Sequence, residues 1–160
     1  MKKPKFKLTQ RDETLEALVA QTDHRTLGVW AKACAERVLP YFEQALPEDA
    51  RPRQALETLQ AWIETGQFSM AVIRGASLGA HAAARDVGED NPARSAARAA
   101  GQAVATAHVR THAPGAALYA QQARHRAAAA EEAEAAVAAE LAWQIRRLRA
   151  LREQQTDGRG

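Results

Sequence analysis

The sequence predicts an all-α fold, a compact bundle of five to seven helices with small-residue helix packing and a long C-terminal helix. Three observations carry this expectation. Alanine supplies much of the 46% hydrophobic fraction while aromatic residues make up only 5%. Alanine orders in a helix without losing side-chain entropy, whereas strands favour β-branched and aromatic residues. Apolar residues recur at spacings of three and four, and no segment alternates convincingly with period two. Pro and Gly fall where helices start and stop. At 160 residues the chain is long enough for one domain with a real core.

Residues 1–8 carry Lys2, Lys3, Lys5 and Lys7 and read as a basic, flexible arm. A single domain is expected over 9–153, with a disordered tail at 154–160. Thr9 to Gln21 reads as a first short helix with Leu15, Leu18 and Val19 inward. Thr26 can cap the second helix, whose stripe is Leu27, Trp30, Ala31, Cys34, Val38 and Phe42. Pro40 lies inside this pattern and is expected to kink or end the helix, because it lacks a backbone donor.

LPEDARP reads as a loop, with Pro52 in the first turn of a third helix. Leu56, Leu59, Trp62 and Ile63 form its inner face, and Gly66 marks its stop. A fourth helix is expected from about Ser69 to Val87. Its row Gly75, Gly79 and Ala83 would let a neighbouring backbone approach closely. Asn91 caps and Pro92 opens a fifth helix, read as running to about His112, with Ala97, Gly101, Val104, Ala105 and His108 on one face. Pro114 opens the last segment, which is expected to break near Arg124 to Arg126. It continues as a helix along Val137, Leu141, Ile145 and Leu148.

The net charge of +3 and a pI near 9.3 are mildly basic. Arginine is scattered and mostly accompanied by glutamate, so the charge does not form the concentrated stripe of a dedicated nucleic-acid binder. Nucleic acid is therefore disfavoured as a partner. No apolar run approaches the roughly 20 residues that span a bilayer, so no membrane is expected. The positive N-terminus is not followed by the apolar core of a signal peptide. Together with a single cysteine, Cys34, this suits a reducing, cytoplasmic location.

HVRTHAPG holds His108 and His112 at i and i+4, where both imidazoles share a helix face. With His81 as a third ligand they would form a metal site. The pattern lacks the glutamate of a His-Glu-x-x-His motif, because Val109, Arg110 and Thr111 fill the gap. The residues favour a structural role instead, with a half-buried His108 between tightly packed helices and His112 at a helix C-terminus. His81 and Arg85 form a second i,i+4 pair. Cys34 lies on an apolar stripe and reads as a small core residue rather than a nucleophile. No nucleophile elbow, phosphate loop or dinucleotide fingerprint is present, so neither catalysis nor a cofactor is expected. Asp23, Arg25, Arg37, Arg51 and Arg53 read as caps and inter-helix ion pairs. The acidic run Glu131, Glu132, Glu134 and Glu140 reads as a solvated face that can also meet a basic protein.

DHRTLGVWAKACAERVLPYFE, RPRQALETLQAW, GASLGAHAAAR and AGQAVATAHVRTHAPGAALYA resemble small bacterial immunity proteins with an Imm-5-like helical domain. The resemblance runs from about Asp23 to Trp143, and its most specific part is ATAHVRTHAPGAALYA. By the family's pattern the positions that stand out are Asp23, Arg25, Trp30, Cys34, Glu36, Arg37, Arg51, Pro52, Arg53, Trp62, His81, Arg85, His108, His112 and Tyr119. The resemblance implies a protein toxin as partner, neutralised through an electrostatically steered interface without catalysis. Glu131, Glu132 and Glu134 are the expected contacts, and a homo-oligomer is compatible with the sequence. The alternatives are a metal protein using His81, His108 and His112, and a weak nucleic-acid binder using Lys2 to Lys7 and the C-terminal arginines.

Overall fold

The computed structural model describes residues 2–157, which form seven α-helices and no strand. They are α1 (Glu13–Ala20), α2 (His24–Ala45), α3 (Arg51–Thr65), α4 (Met70–Asp86), α5 (Pro92–Ala105), α6 (Ala113–Ala127) and α7 (Ala133–Asp157). Single 3-10 turns at Arg110–His112 and Ala130–Glu132 lead into α6 and α7. No described helix is long and apolar enough to cross a membrane.

Short polar side chains fix most of the starts. Asp12 accepts from Leu15 N at 2.9 Å, Ser69 from Val72 N at 3.3 Å and Asn91 from Arg94 N at 3.0 Å. Each such cap contributes about 1 kcal/mol. The α2 cap is Asp23, which accepts from Thr26 N at 3.2 Å, so Thr26 is the capped residue rather than the cap. The Asp12 cap likewise starts α1 four residues later than Thr9. Gly66 closes α3 with φ +69°, a conformation that favours glycine, and donates to Trp62 O at 2.8 Å.

Three expectations fail for local reasons. α2 does not end at Pro40 but runs through it to Ala45, with Pro40 on the exposed side of the helix. Of the row Gly75, Gly79 and Ala83 only Ala83 is buried, while Gly75 and Gly79 have open space before them; α4 buries Ile73, Ala80 and Ala84 beside it. The close approaches lie at Gly28 and Gly101, where an added Cβ would stand 2.8 Å from Trp62 Cζ3 and 2.6 Å from His81 Nε2. α5 ends at Ala105, since His108 N and Val109 N both turn back to Ala105 O and Val109 is extended. His108 and His112 therefore do not share an α-helix.

α5 is the centre of the bundle and packs against α2, α3, α4 and α6. It is apolar around most of its circumference, through Ala93, Ala96, Ala97, Ala100, Ala103 and Val104, as a helix enclosed by others must be. Its small side chains leave room for the large ones of α2 and α3: Leu27, Trp30, Leu39, Phe42, Leu56 and Leu59 are 0–1% exposed. Each such burial contributes roughly 1.5–3 kcal/mol.

α7 turns Glu140, Gln144, Leu148 and Leu151 inward, while Val137, Leu141 and Ile145 lie half-buried beside them. The break between α6 and α7 falls at Ala128 and Ala129, just after the expected arginines. Residues 154–157, expected as tail, continue α7; residues 158–160 lie outside the described residues. The N-terminal arm is held at two points. Lys3 Nζ donates to His125 O at 2.7 Å, and Phe6 lies 5.7 Å from the His125 ring.

Candidate functional site

Two polar clusters collect the three candidate histidines and the pair Arg37 and Glu140. The first joins α4, α5 and the turn before α6. Arg98 Nη1 donates to His81 Nδ1 at 2.9 Å, which assigns the ring proton to Nε2. Nε2 faces Gly101, where the absent Cβ leaves room for the ring. Burial, then Arg98, Arg85 and His112, push the His81 pKa down to about 4. His112 Nδ1 lies 2.9 Å from Gln102 Oε1, so Nδ1 carries the proton. Burial and His108 lower the His112 pKa as well. His108 is exposed rather than half-buried, and its ring stacks on Phe68 at 5.8 Å and 17°.

A metal site does not emerge from this arrangement. The His81 Nδ1 lone pair points at a guanidinium, and the histidines lie on different elements. Among the described residues no group of three His, Cys, Asp or Glu side chains is placed to hold a metal ion.

The second cluster joins α2, α6 and α7 around Glu140, which is 2% exposed. Arg37 donates to it through Nε at 2.9 Å and Nη2 at 3.0 Å, the two-pronged geometry that suits a carboxylate. Arg124 donates through Nε at 3.2 Å, to the Tyr41 hydroxyl at 2.9 Å and to Arg37 O at 3.4 Å. Burial opposes the charge on Arg124, but Tyr41 and Glu140 outweigh it and hold its pKa above the ordinary value. The Arg37 guanidinium lies 4.0 Å over Trp143, and that of Arg124 lies 5.5 Å from the Tyr41 ring.

Glu140 was expected on a solvated acidic face, and Arg124, Tyr41 and Trp143 were not singled out. The spacing held a signal. Glu140, Gln144, Leu148 and Leu151 follow a helical period of their own, and a carboxylate in phase with leucines calls for buried cations.

Most of the other expected residues make contacts within the bundle. Burial works against the Asp23 carboxylate, but its bonds from Thr26 hold its pKa below the usual range. Arg25 Nε donates to Ile63 O at 3.0 Å, tying α2 to α3. Trp30 is buried and its Nε1 donates to Gln144 O at 2.9 Å. Arg51 pairs with Asp49 at 2.7 Å and Asp86 at 2.8 Å, and Arg53 with Glu43 at 2.6 Å. Glu36 pairs with Lys32. Trp62 lies 4.9 Å from the His24 ring, Tyr119 packs half-buried against the core, and Pro52 is buried. Arg85, Glu131, Glu132 and Glu134 are exposed. Cys34 is fully buried; burial foremost, then Glu140, raises its thiol pKa well above 9.0, which leaves it an unreactive thiol.

A cleft of about 1060 Å³ opens between the arm, α1, α6 and α7, lined by Leu8, Leu15, Val19, Leu118 and Leu141. The Arg110 guanidinium on its rim is committed to Val19 O and Thr22 O, so it braces α1.

No curated protein and no solved structure matches the chain. A family model does match, and its span runs from α1 to Leu151 near the end of α7, taking in every helix that packs the core and both clusters. The chain belongs to the family described as Imm-5 like putative immunity protein, whose model matches residues 17–151.

Proposed function

We propose that this protein is an immunity-type protein that binds and neutralises a partner toxin through a protein–protein interface, without catalysis. The family match over residues 17–151 carries this reading. The hydrogen bonding of the bundle interior supports it. Among the described residues no buried side-chain nitrogen or oxygen lacks a hydrogen-bond partner. A surface already ordered in the free protein loses less entropy on association, so more of the contact energy remains as affinity.

Charge on such a surface sets encounter rate and partner choice more than raw affinity. Glu131, Glu132 and Glu134 stand exposed at the start of α7 and are our proposed contacts for a basic partner. The helix N-terminus also favours carboxylates there, so their position alone has a local cause.

The test is a tagged pull-down from the native cell lysate, with mass spectrometry and metal analysis on one eluate. The expected result is one stoichiometric protein partner whose toxicity on expression is suppressed by this chain. Glu131→Lys with Glu134→Lys should slow association with that partner. A chain that recovers no partner, or whose recovered partner stays equally toxic in its presence, overturns the reading.

A further inference from the structure

The first cluster extends into a surface that no other described residue covers. Along α4, Arg74, Leu78, His81 and Arg85 follow at spacings of four, three and four, so they form one stripe. Leu78 is 55% exposed, and Arg74 and Arg85 are exposed with no ion pair among the described residues. α5 adds Arg98, which donates to His81. The charges acting on His81 and His112 are Arg98, Arg85 and other histidines, with no carboxylate among them. Six arginines elsewhere, Arg37, Arg51, Arg53, Arg94, Arg124 and Arg126, each have a carboxylate within 4 Å, and Arg25 and Arg110 are bonded to backbone carbonyls. Met70, one turn before Arg74, continues the same face and is 43% exposed.

We propose that this face of α4, with Arg98 from α5, docks a partner protein through an amphipathic helix edged with carboxylates. Charge complementarity selects that occupant. Arg74 and Arg85 stand eleven residues apart, about 16 Å along the axis, with Leu78 between them. They fit a helix carrying two acidic residues at a similar separation and apolar side chains between. A second copy of this chain fits poorly, because a two-fold axis near Leu78 sets Arg74 of one copy against Arg85 of the other. Nucleic acid would use the cations but gains little from Leu78 and Met70. The surface is separate from the carboxylates of α7, and the proposal does not require the partner to be a toxin.

The probe is a synthetic helical peptide of about 18 residues with leucines on one face and glutamates flanking them. A scrambled peptide of the same composition and a single-stranded DNA oligonucleotide are the comparisons. Each is titrated into the 15N-labelled full chain. The amphipathic peptide should shift the amides of residues 74–85 and 98 and bind at least about tenfold tighter than the scramble. Leu78→Asp, and separately Arg74→Glu with Arg85→Glu, should each weaken it about tenfold at unchanged melting temperature. Equal binding of the scramble, or tighter binding of the DNA, overturns the proposal in favour of a bare polyanion surface. Shifts confined to other helices, no shift at roughly millimolar peptide, or a homodimer abolished by Leu78→Asp also overturn it.

Discussion

Replacing Glu140 with alanine should destabilise the protein by about 3 kcal/mol. The carboxylate is 2% exposed and accepts from Arg37 Nε, Arg37 Nη2 and Arg124 Nε between 2.9 and 3.2 Å. Its removal leaves two guanidiniums side by side with no counter-charge. Breaking a buried ion pair from one side costs roughly 3–5 kcal/mol, much of it from the stranded charge. The arginines retain side-chain exposures of 33% and 29%, so water reaches them and the low end applies. At about 2–4 °C per kcal/mol for a chain of this size, the melting temperature should fall by roughly 6–12 °C.

Calorimetry with urea unfolding at constant m-value measures this loss. The Arg37→Met background sharpens the test, since Glu140→Ala should then cost about 1 kcal/mol less or better. A loss below about 1 kcal/mol, the level of an exposed pair, would refute the assignment of Glu140 as the buried hub. So would an equal loss in both backgrounds.

Other outcomes follow from single contacts. Gly101→Ala drives a Cβ within 2.6 Å of His81 Nε2 and should cost about 1–3 kcal/mol, whereas Gly75→Ala, in open space, should stabilise by about 0.5–1 kcal/mol; equal melting temperatures would contradict the placement of α4. His81 has its pKa lowered from 6.5 to about 4, so the unfolded chain takes up a proton that the fold refuses between those values. Stability should therefore fall as pH drops from 6.5 to 4, by about 1–2 kcal/mol after allowance for solvent screening, and a His81→Gln variant with an unchanged slope would contradict this. Native Cys34 should resist a thiol reagent until the protein unfolds, and immediate labelling at neutral pH would show that it is accessible.

The fold was legible because helix starts and stops are written in local chemistry. Asn91-Pro92, Pro52 and Gly66 mark their helices without help from the rest of the chain. What escaped was orientation about the helix axis. The row Gly75, Gly79 and Ala83 looks like a packing face, yet only Ala83 of it is buried; Ile73 and Ala80 go inward, and a Cβ at either glycine would meet open space. Alanine causes this ambiguity: a helix that is small and apolar on several sides has no unique hydrophobic face. HVRTHAPG misled for a different reason. Its i,i+4 spacing is meaningful only if the helix continues, and the turn at Ala107 to Val109 interrupts it. Glu140 was hidden in a run of acidic residues because its arginine partners are 16 and 103 residues away.

The same flatness raises the question of what holds the helices in register. Alanine surfaces have shallow ridges and grooves, so neighbouring positions of α5 against α6, or α6 against α7, differ little in dispersion energy. Directional bonds across these interfaces discriminate where packing does not. Ser95 Oγ donates to Gln122 Oε1 at 2.8 Å, Gln121 Nε2 to Gln144 Oε1 at 2.9 Å, and Gln144 Nε2 to Ala117 O at 3.0 Å. A slip of one residue would break all three in a place that water does not reach. The hypothesis is that these glutamines specify one arrangement more than they add stability. Gln121→Leu with Gln144→Leu should then leave the unfolding free energy within about 1.5 kcal/mol while broadening the thermal transition and blurring the NMR spectrum. A double variant that keeps a sharp transition and a single set of resonances would refute it, leaving packing alone to fix the register. If the transition broadens, these glutamines also bear on recognition, because Arg74 and Arg85 keep their spacing from Arg98 only while the bundle beneath them stays in one register.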